Sequence, residues 1–295
     1  MLLLDFILHL GNRLSKHKLT LSKPKSHSHH HTFNSVSFEK LPKVSILIPT
    51  RDKPDMLRVC IESVMEKTTY SNIEIIIVDN DSSQSETQSF LAGLENHGIK
   101  ILKYPGAFNY SAICNFAARE ATGEFLCFLN NDTEAINPQW LHSMVEHASQ
   151  PEIGIVGGVL LYPDGSLQHM GVALGHNFIA GHPYRGESPK SFTPQECFQV
   201  SAVTFACAVI SKAKFDSLGG LDENLPSGFN DVDISIRADN ANLKNILCVH
   251  SLLTHHESQT RPKTRSISGL HRAFLDAVVF LKKHPNRLRD KFFTR

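Results

Sequence analysis

From Val44 onward, apolar residues come in short unbroken runs separated by stretches with helical spacing. VSILIP (44–49), IEIIIVD (73–79), IKILKYP (99–105) and EFLCFLN (124–130) each have the length of a strand. An apolar run without alternation suits a strand covered on both faces. Between the first two, PDMLRVCIESVMEK sets Leu57, Cys60, Ile61, Val64 and Met65 at helical spacing behind a proline at the helix start. SETQSFLAGLEN and YSAICNFAARE fill the next two gaps. Strand, helix, strand at this tempo predicts right-handed crossovers and a mostly parallel central sheet of Rossmann-like α/β type, flanked by helices.

The second half is less regular. It holds GIVGGVLLYP, LQHMGVAL, a Gly, Pro and His-rich loop over 175–195, and a single long apolar strand at VSAVTFACAVIS (200–211). A helix is predicted over 231–242, a strand at NILCVHS (245–251), and a closing amphipathic helix at SGLHRAFLDAVVFLKKH (268–284). The chain divides into an extension over 1–40, a main domain over 41–262 and a helical segment over 263–295. It contains no internal repeat.

The extension opens on MLLLDFILHL, which Asp5 interrupts and which is far shorter than the roughly 20 residues that span a bilayer. Its basic residues follow the apolar part, the reverse of a secretory signal. Leu3, Phe6, Ile7, Leu10 and Leu14 share a helix face, so the segment reads either as a membrane-surface or partner-docking helix or as a flexible extension. Residues 15–40 read as a linker, and His27, His29, His30 and His31 as part of a polar tail with nothing to fix a coordination geometry.

Composition narrows the classes further. The 295 residues are 41% hydrophobic, ample for a core. Thirty basic residues against 29 acidic ones leave a net charge of +1, and no overall field argues for nucleic acid as a partner. Cys60, Cys114, Cys127, Cys197, Cys207 and Cys248 stand singly in mostly apolar surroundings, without a CxxC pair. They read as reduced core thiols of a cytosolic protein.

Ligands bind open parallel sheets at the carboxyl ends of the strands. Here those ends are Pro49-Thr50-Arg51-Asp52, Asp79-Asn80-Asp81-Ser82 and Asn130-Asn131-Asp132-Thr133. No GxGxxG or GxxxxGK[ST] follows any of these strands, which argues against a dinucleotide-binding Rossmann enzyme and a P-loop NTPase. A phosphorylated ligand then needs another positive charge, and a divalent metal on a carboxylate supplies one. Asp132 is the candidate. The alternative is a turn and cap ahead of the helix at Pro138, and position alone does not decide between them.

The ordered set VSILIPTRDKPDMLRVCIESV, IEIIIVDNDS, FNYSAICNFAAREATGEFLCFLNNDTE, GIVGGVLLYPDGSLQHMGVAL, LGGLDENLPSGFNDVDISIR and HHESQTR resembles the family 2 glycosyltransferases of the GT-A fold. Within them it is similar to a rhamnosyltransferase-like bacterial branch, over residues 43–262. The resemblance implies a smaller mixed acceptor-side region beside the main sheet. It implies that Pro49, Thr50 and Asp52 meet the nucleoside, that Asp79 with Asn80 meets the base, and that Asn130, Asn131 and Asp132 fill the DxD slot. Asp132 would bind Mn2+ or Mg2+ with the diphosphate. Asn130 departs from strict DxD and is the weaker ligand. His255 is the further metal ligand the resemblance implies, His256 is its rival, and imidazole among oxygens tilts the site towards manganese. Arg261 would add a second cation on the phosphates.

In NDVDIS, Asp231 matches the general base of inverting members, with Asn230 in place of the usual Glu, while Asp233 reads as a first-turn or structural carboxylate. Gly219 and Gly220 match a loop approaching donor sugar and acceptor, or else a plain helix C-cap. Trp140 reads as core or as a sugar-stacking ring, and His169 as a supporting residue on the acceptor side.

The implied reaction is inverting, metal-dependent transfer of a hexose or deoxyhexose such as rhamnose. The donor is a nucleotide diphosphate sugar, and the acceptor is a glycan or lipid-linked. The setting is cell-surface polysaccharide or lipopolysaccharide synthesis in the cytoplasm, with peripheral contact at the inner membrane face. A sugar-phosphate nucleotidyltransferase would carry a GxGTRL-type loop where this chain has IPTRDKPD. A silent GT-A module serving as a binding partner would lack the carboxylates, yet Asp132 and Asp231 are both present.

Overall fold

A computed structural model of the chain describes residues 38–175, 179–191, 196–256, 267–287 and 289–293. The extension with its histidine tract, and Arg261, lie outside the described residues. The first half alternates as predicted: β1 (Val44–Thr50), α1 (Pro54–Lys67), β2 (Ile73–Asp79), α2 (Ser85–Glu95), β3 (Lys100–Lys103), α3 (Tyr110–Glu120) and β4 (Phe125–Leu129). Pro54 opens α1, where its missing N–H costs nothing, and Leu57, Cys60, Ile61 and Val64 are buried. Met65, grouped with that face by spacing, is exposed. Asn109 caps α3 by accepting from the Ala112 amide at 3.1 Å.

The second half adds β5 (Thr133–Ala135), α4 (Trp140–Ala148), β6 (Ile153–Leu161), β7 (Leu167–His169), β8 (Ala173–Leu174), β9 (Ala180–Gly181), β10 (Phe198–Val200), β11 (Cys207–Ser211), α5 (Lys212–Ser217), α6 (Asn230–Asn240), β12 (Lys244–His255) and α7 (Ile267–Lys283). The main sheet runs β10-β12-β6-β11-β4-β1-β2-β3, with β5 on β12 and β7 on β6. β1, β2, β3 and β4 are mutually parallel, and so are β6 and β12. Since β11 is antiparallel to both β4 and β6, the two parallel groups point the same way. Their carboxyl ends therefore meet along one edge. Apolar clusters cover both faces, with Ile46 and Ile48 on one side and Leu47 on the other.

The long strand expected at 200–211 is two. β10 pairs with β12 at the sheet edge, whereas β11 sits between β6 and β4. The residues between cross under the sheet edge, where Ala202 bridges Val172 and Val203 packs against Gly157. A Cβ at Gly157 would come within 2.5 Å of Val203, so this close approach requires glycine. An apolar run alone does not show such a crossing.

β12 carries another break. It advances from Cys248 to Leu252 while β6 advances only from Gly158 to Val159. The bulged turn is held by Asn137, which donates to the His250 carbonyl at 2.7 Å and accepts from the Leu252 amide at 2.9 Å. The bulge reverses the side-chain alternation, so Ile246, Cys248 and Leu253 all reach one core cluster.

Trp140 is fully buried and donates to the Thr68 hydroxyl, which makes it core and not a sugar platform. All six cysteines are buried and none forms a disulfide. Among the described residues no helix is long and apolar enough to cross a membrane.

The closing helix is fastened to α6 through Asp233. This fully buried carboxylate pairs with Arg237 at 2.8 Å, Lys283 at 2.8 Å and His284 at 2.7 Å. Burial opposes its ionisation, but Lys283, Arg237 and His284 outweigh it and hold the pKa below the usual aspartate value. Asp233 is thus structural. A depressed folded-state pKa gives stability that is present above the unfolded value and lost as pH falls through the folded one. Denaturant titrations should accordingly show stability falling below about pH 4, with a flatter acid limb in Asp233→Asn. Asp233→Ala, which strands Arg237 and Lys283 and leaves His284 without its acceptor, should cost about 3–5 kcal/mol at neutral pH.

Candidate active site

The shared edge of the sheet gathers most of the residues singled out by sequence. Pro49 lies opposite Val78 near the end of β1, and the buried Thr50 that ends the strand accepts from the Asn131 side-chain amide at 2.9 Å, which ties β1 to the turn after β4. Asp52 accepts from the Ser83 and Gln84 amides, each at 2.9 Å, and so fixes the start of α2. Asn80 is buried and donates to the Tyr104 and Gly106 carbonyls. Asp79 is buried beside it, accepting from the Ser82 amide at 3.0 Å and from Lys103 at 2.8 Å. Burial pushes its pKa up, but the bonds from Lys103 and Ser82 prevail and keep it below the ordinary range.

Beyond this group lies a cleft of about 260 Å³ whose lining includes Asn130, Asp132, Gln168, Asn230, Asp231 and His255. Three strands build it. β4 ends at Leu129, and the turn that starts at Asn130 leads into β5, which pairs with the end of β12 so that Thr133 faces His255. The His256 amide donates to the Asp132 carbonyl at 2.9 Å and locks the register. Asp132 Oδ1 thereby sits 3.1 Å from His255 Nε2, with the Asn130 amide 3.5 Å from the same nitrogen. Gln168 on β7 accepts at Oε1 from His255 Nδ1 at 2.5 Å and donates to the His255 carbonyl at 3.1 Å. An amide oxygen only accepts, so Nδ1 carries a proton, and Nε2 is the nitrogen turned to Asp132. His256 instead faces Glu134, at 3.5 Å, and does not line the cleft.

This donor set fits a divalent cation. Two ligand atoms at about 2.1 Å from one octahedral ion lie about 3 Å apart, close to the 3.1 Å between Asp132 and His255. The imidazole is already oriented by a hydrogen bond on its other nitrogen, as metal-ligating histidines are. One carboxylate with one imidazole and a neighbouring amide leaves room for phosphate oxygens and water.

The opposite wall comes from the loop before α6. Phe229 takes a left-handed conformation, φ 60°, immediately ahead of Asn230 and Asp231. Asp231 receives the Val232 amide at 2.9 Å, and Asn230 turns its amide to the Leu225 carbonyl at 3.3 Å. The loop itself is held from α7: Asp276 accepts from the Gly228 amide at 2.8 Å and the Ser227 hydroxyl at 2.9 Å, while Phe280 stacks on Phe229.

Gly219 and Gly220 are a correction. Both have left-handed φ, 80° and 68°, and their amides return to the Asp216 and Phe215 carbonyls. They terminate α5, the Gly220 carbonyl accepts from Arg237, and neither glycine is among the residues lining the cleft.

Five residues at or behind the site carried no reading or little. Gln168 stands next to the noticed His169 in LQHMG, and its role depends on a distant strand. His169 is buried, with its Nδ1 2.8 Å from His182 Nδ1 and its Nε2 accepting from the Thr204 amide at 3.4 Å. Burial, then His182 and His255, push its pKa well down, so it is neutral and donates to His182. His182 then presents its proton at Nε2. Arg185 is the one Arg or Lys among the described lining residues. Asp276 lies outside the cleft and acts through the loop, a signal no local motif contains.

A profile described as Glycosyl transferase family 2 matches residues 45–219. The O-antigen biosynthesis protein RfbC of Myxococcus xanthus is 39% identical over 226 residues, covering 75% of this chain and 18% of RfbC. The chain thus spans under a fifth of that relative's length. The GalNAc(5)-diNAcBac-PP-undecaprenol beta-1,3-glucosyltransferase of Campylobacter jejuni is 28% identical over 131 residues, 43% of this chain and 41% of that enzyme. Among solved structures, GalNAc-T7 with UDP, GalNAc and Mn2+ superposes with a TM-score of 0.63 at 18% identity, over 74% of this chain and 44% of that one. The mannosyltransferase PcManGT from Pyrobaculum calidifontis, in complex with GDP-Man and Mn2+, gives 0.59 at 15% identity, over 95% and 71%. At such identity the likeness is one of fold, and that fold is GT-A. With the family profile spanning more than half of its length, the chain belongs to glycosyl transferase family 2.

Proposed function

We propose that the chain catalyses inverting, metal-dependent transfer of a hexose or deoxyhexose, rhamnose included, from a nucleotide diphosphate sugar to a glycan or lipid-linked acceptor, in the synthesis of cell-surface polysaccharide such as lipopolysaccharide. The reading is carried by the Asp132 and His255 pair, tied by Gln168 and facing the same cleft as Asp231. The relatives support the setting: RfbC is named for O-antigen biosynthesis and the Campylobacter enzyme for an undecaprenol-linked acceptor. The chain would work in the cytoplasm, peripherally at the inner face of the membrane where such acceptors lie.

Asp132 and His255 Nε2 would hold Mn2+ or Mg2+, with Asn130 and Asn131 shaping the turn around the diphosphate. The bound ion supplies Lewis acidity to the departing nucleoside diphosphate. Gln168 holds the His255 ring by its Nδ1 so that Nε2 is the nitrogen left to ligate, and Arg261 would add positive charge on the phosphates. Thr50, Asp52, Asp79 and Asn80 would take the nucleoside; Asp79 retains lone pairs for a base N–H after binding Lys103 and Ser82. Asp231, across the cleft, takes the proton from the acceptor hydroxyl as it attacks. Asn230 keeps that carboxylate free of a second negative charge beside it.

Purified protein should turn over a nucleotide sugar in Mn2+ and stop in EDTA. Asp132→Ala should lose at least 100-fold, since the diphosphate charge is no longer offset, and full metal-independent turnover would defeat the assignment. In Asp231→Asn, donor binding by calorimetry should persist while transfer falls about 10²–10⁴-fold; unchanged transfer would remove it as the base. Gln168→Leu should weaken Mn2+ binding, read by electron paramagnetic resonance titration, about 10–100-fold. If no donor binds to the wild-type chain in Mn2+, the silent-module reading gains.

A further inference from the structure

A second donor set lies away from the cleft. His147 in the last turn of α4, Cys197 just ahead of β10 and Cys248 on β12 bring one imidazole nitrogen and two sulfurs within 4.8 Å of one another. The strand register explains the pair of sulfurs. Phe198 faces Leu247 in the antiparallel β10-β12 ladder, so Cys197 and Cys248 are the next partners along it. Directly opposed residues hold their Cβ atoms about 4.5–5.5 Å apart. Both cysteines belong to the apolar cluster beneath α4, whereas His147 is half-buried.

Packing alone does not call for this composition. Buried thiols ordinarily serve as small apolar groups, as Cys127 does between Cys60 and Cys207. Here an imidazole stands beside two thiols, and Cys197 receives hydrogen bonds from Cys248 and His147. Two sulfurs and one imidazole make a soft donor set.

We propose that His147, Cys197 and Cys248 bind Zn2+ as a structural clip, with water completing the tetrahedron. Zinc bonds of about 2.3 Å to sulfur and 2.0–2.1 Å to nitrogen put tetrahedral ligand atoms about 3.5–3.8 Å apart. The observed 4.8 Å envelope reaches that spacing by side-chain rotation. Thiolates with imidazole select zinc over the hard ions suited to a carboxylate site. The clip would join α4 to the edge strand β10, from which the chain continues into Thr204, Phe205 and Ala206 on the cleft lining. It is independent of the catalytic reading, which uses other residues and a harder ion.

The full chain, purified under reducing conditions without chelator, should carry or take up one equivalent of Zn2+, counted by mass spectrometry of the metal. Co2+ in its place should show sulfur-to-cobalt charge transfer and tetrahedral visible bands. Cys197→Ser with Cys248→Ser should bring bound zinc below a tenth of an equivalent and lower the melting temperature, while Asp132→Ala keeps the full equivalent. Should the double variant fail to fold, His147→Ala, altered at the half-buried ligand, should still weaken zinc binding at least tenfold in competition with a chromophoric chelator. Absence of zinc uptake by the wild-type chain, an equivalent retained in both variants, its loss in Asp132→Ala alone, or a Cys197–Cys248 disulfide persisting in reductant would each overturn the proposal.

Discussion

Everything at the candidate site depends on the pairing of β12 with two strands at once. β12 is parallel to β6 on both sides of its bulge, as far as Thr254, and its last residues are also antiparallel to β5, which is only the continuation of the turn after β4. That double pairing closes the gap between strands that are not neighbours in the sheet, since β11 stands between β4 and β6. It sets a histidine from residue 255 against a carboxylate from residue 132 without any flexible segment in between. Backbone bonds fix the position, and side-chain bonds from Gln168 fix the ring. A ligand pair held in this way loses little freedom when it binds.

Much of the fold was legible because its signals are local. The first four strands and three helices follow from unbroken apolar runs and helical spacing, and the structure reproduces them nearly residue for residue. What could not be read were features defined by partners far along the chain. The split of 200–211 into β10 and β11 depends on which strands each half meets. The apolar run itself is the same in either case. Met65 is exposed although its spacing suits the buried face, because α1 packs along a stripe narrower than the pattern suggests.

The site divides along the same line. Asp132 was recognisable as an acid at a strand end, but whether residue 255 or 256 would meet it turns on the bulge over 249–251. A bulge with an odd number of extra residues exchanges the two faces of a strand, and nothing in NILCVHSLLTHH announces one. Gly219 and Gly220 show the opposite error. A pattern shared with a family pointed to the cleft, while the left-handed backbone of both residues answers a local need to end α5. Asp276 was invisible for a further reason: it holds a loop 48 residues away by accepting from the Gly228 amide.

The place of β12 in the sheet has a consequence for how this domain can be cut. The stretch recognised by the family profile ends at residue 219, before β12 and both helices that frame the loop of Asp231. A piece ending there would leave β6 with a bare hydrogen-bonding edge, and its apolar strand would invite pairing between copies. The recognisable part of the sequence and the smallest folding unit are therefore different objects: the former names the family, and the latter must extend through the strand that supplies His255.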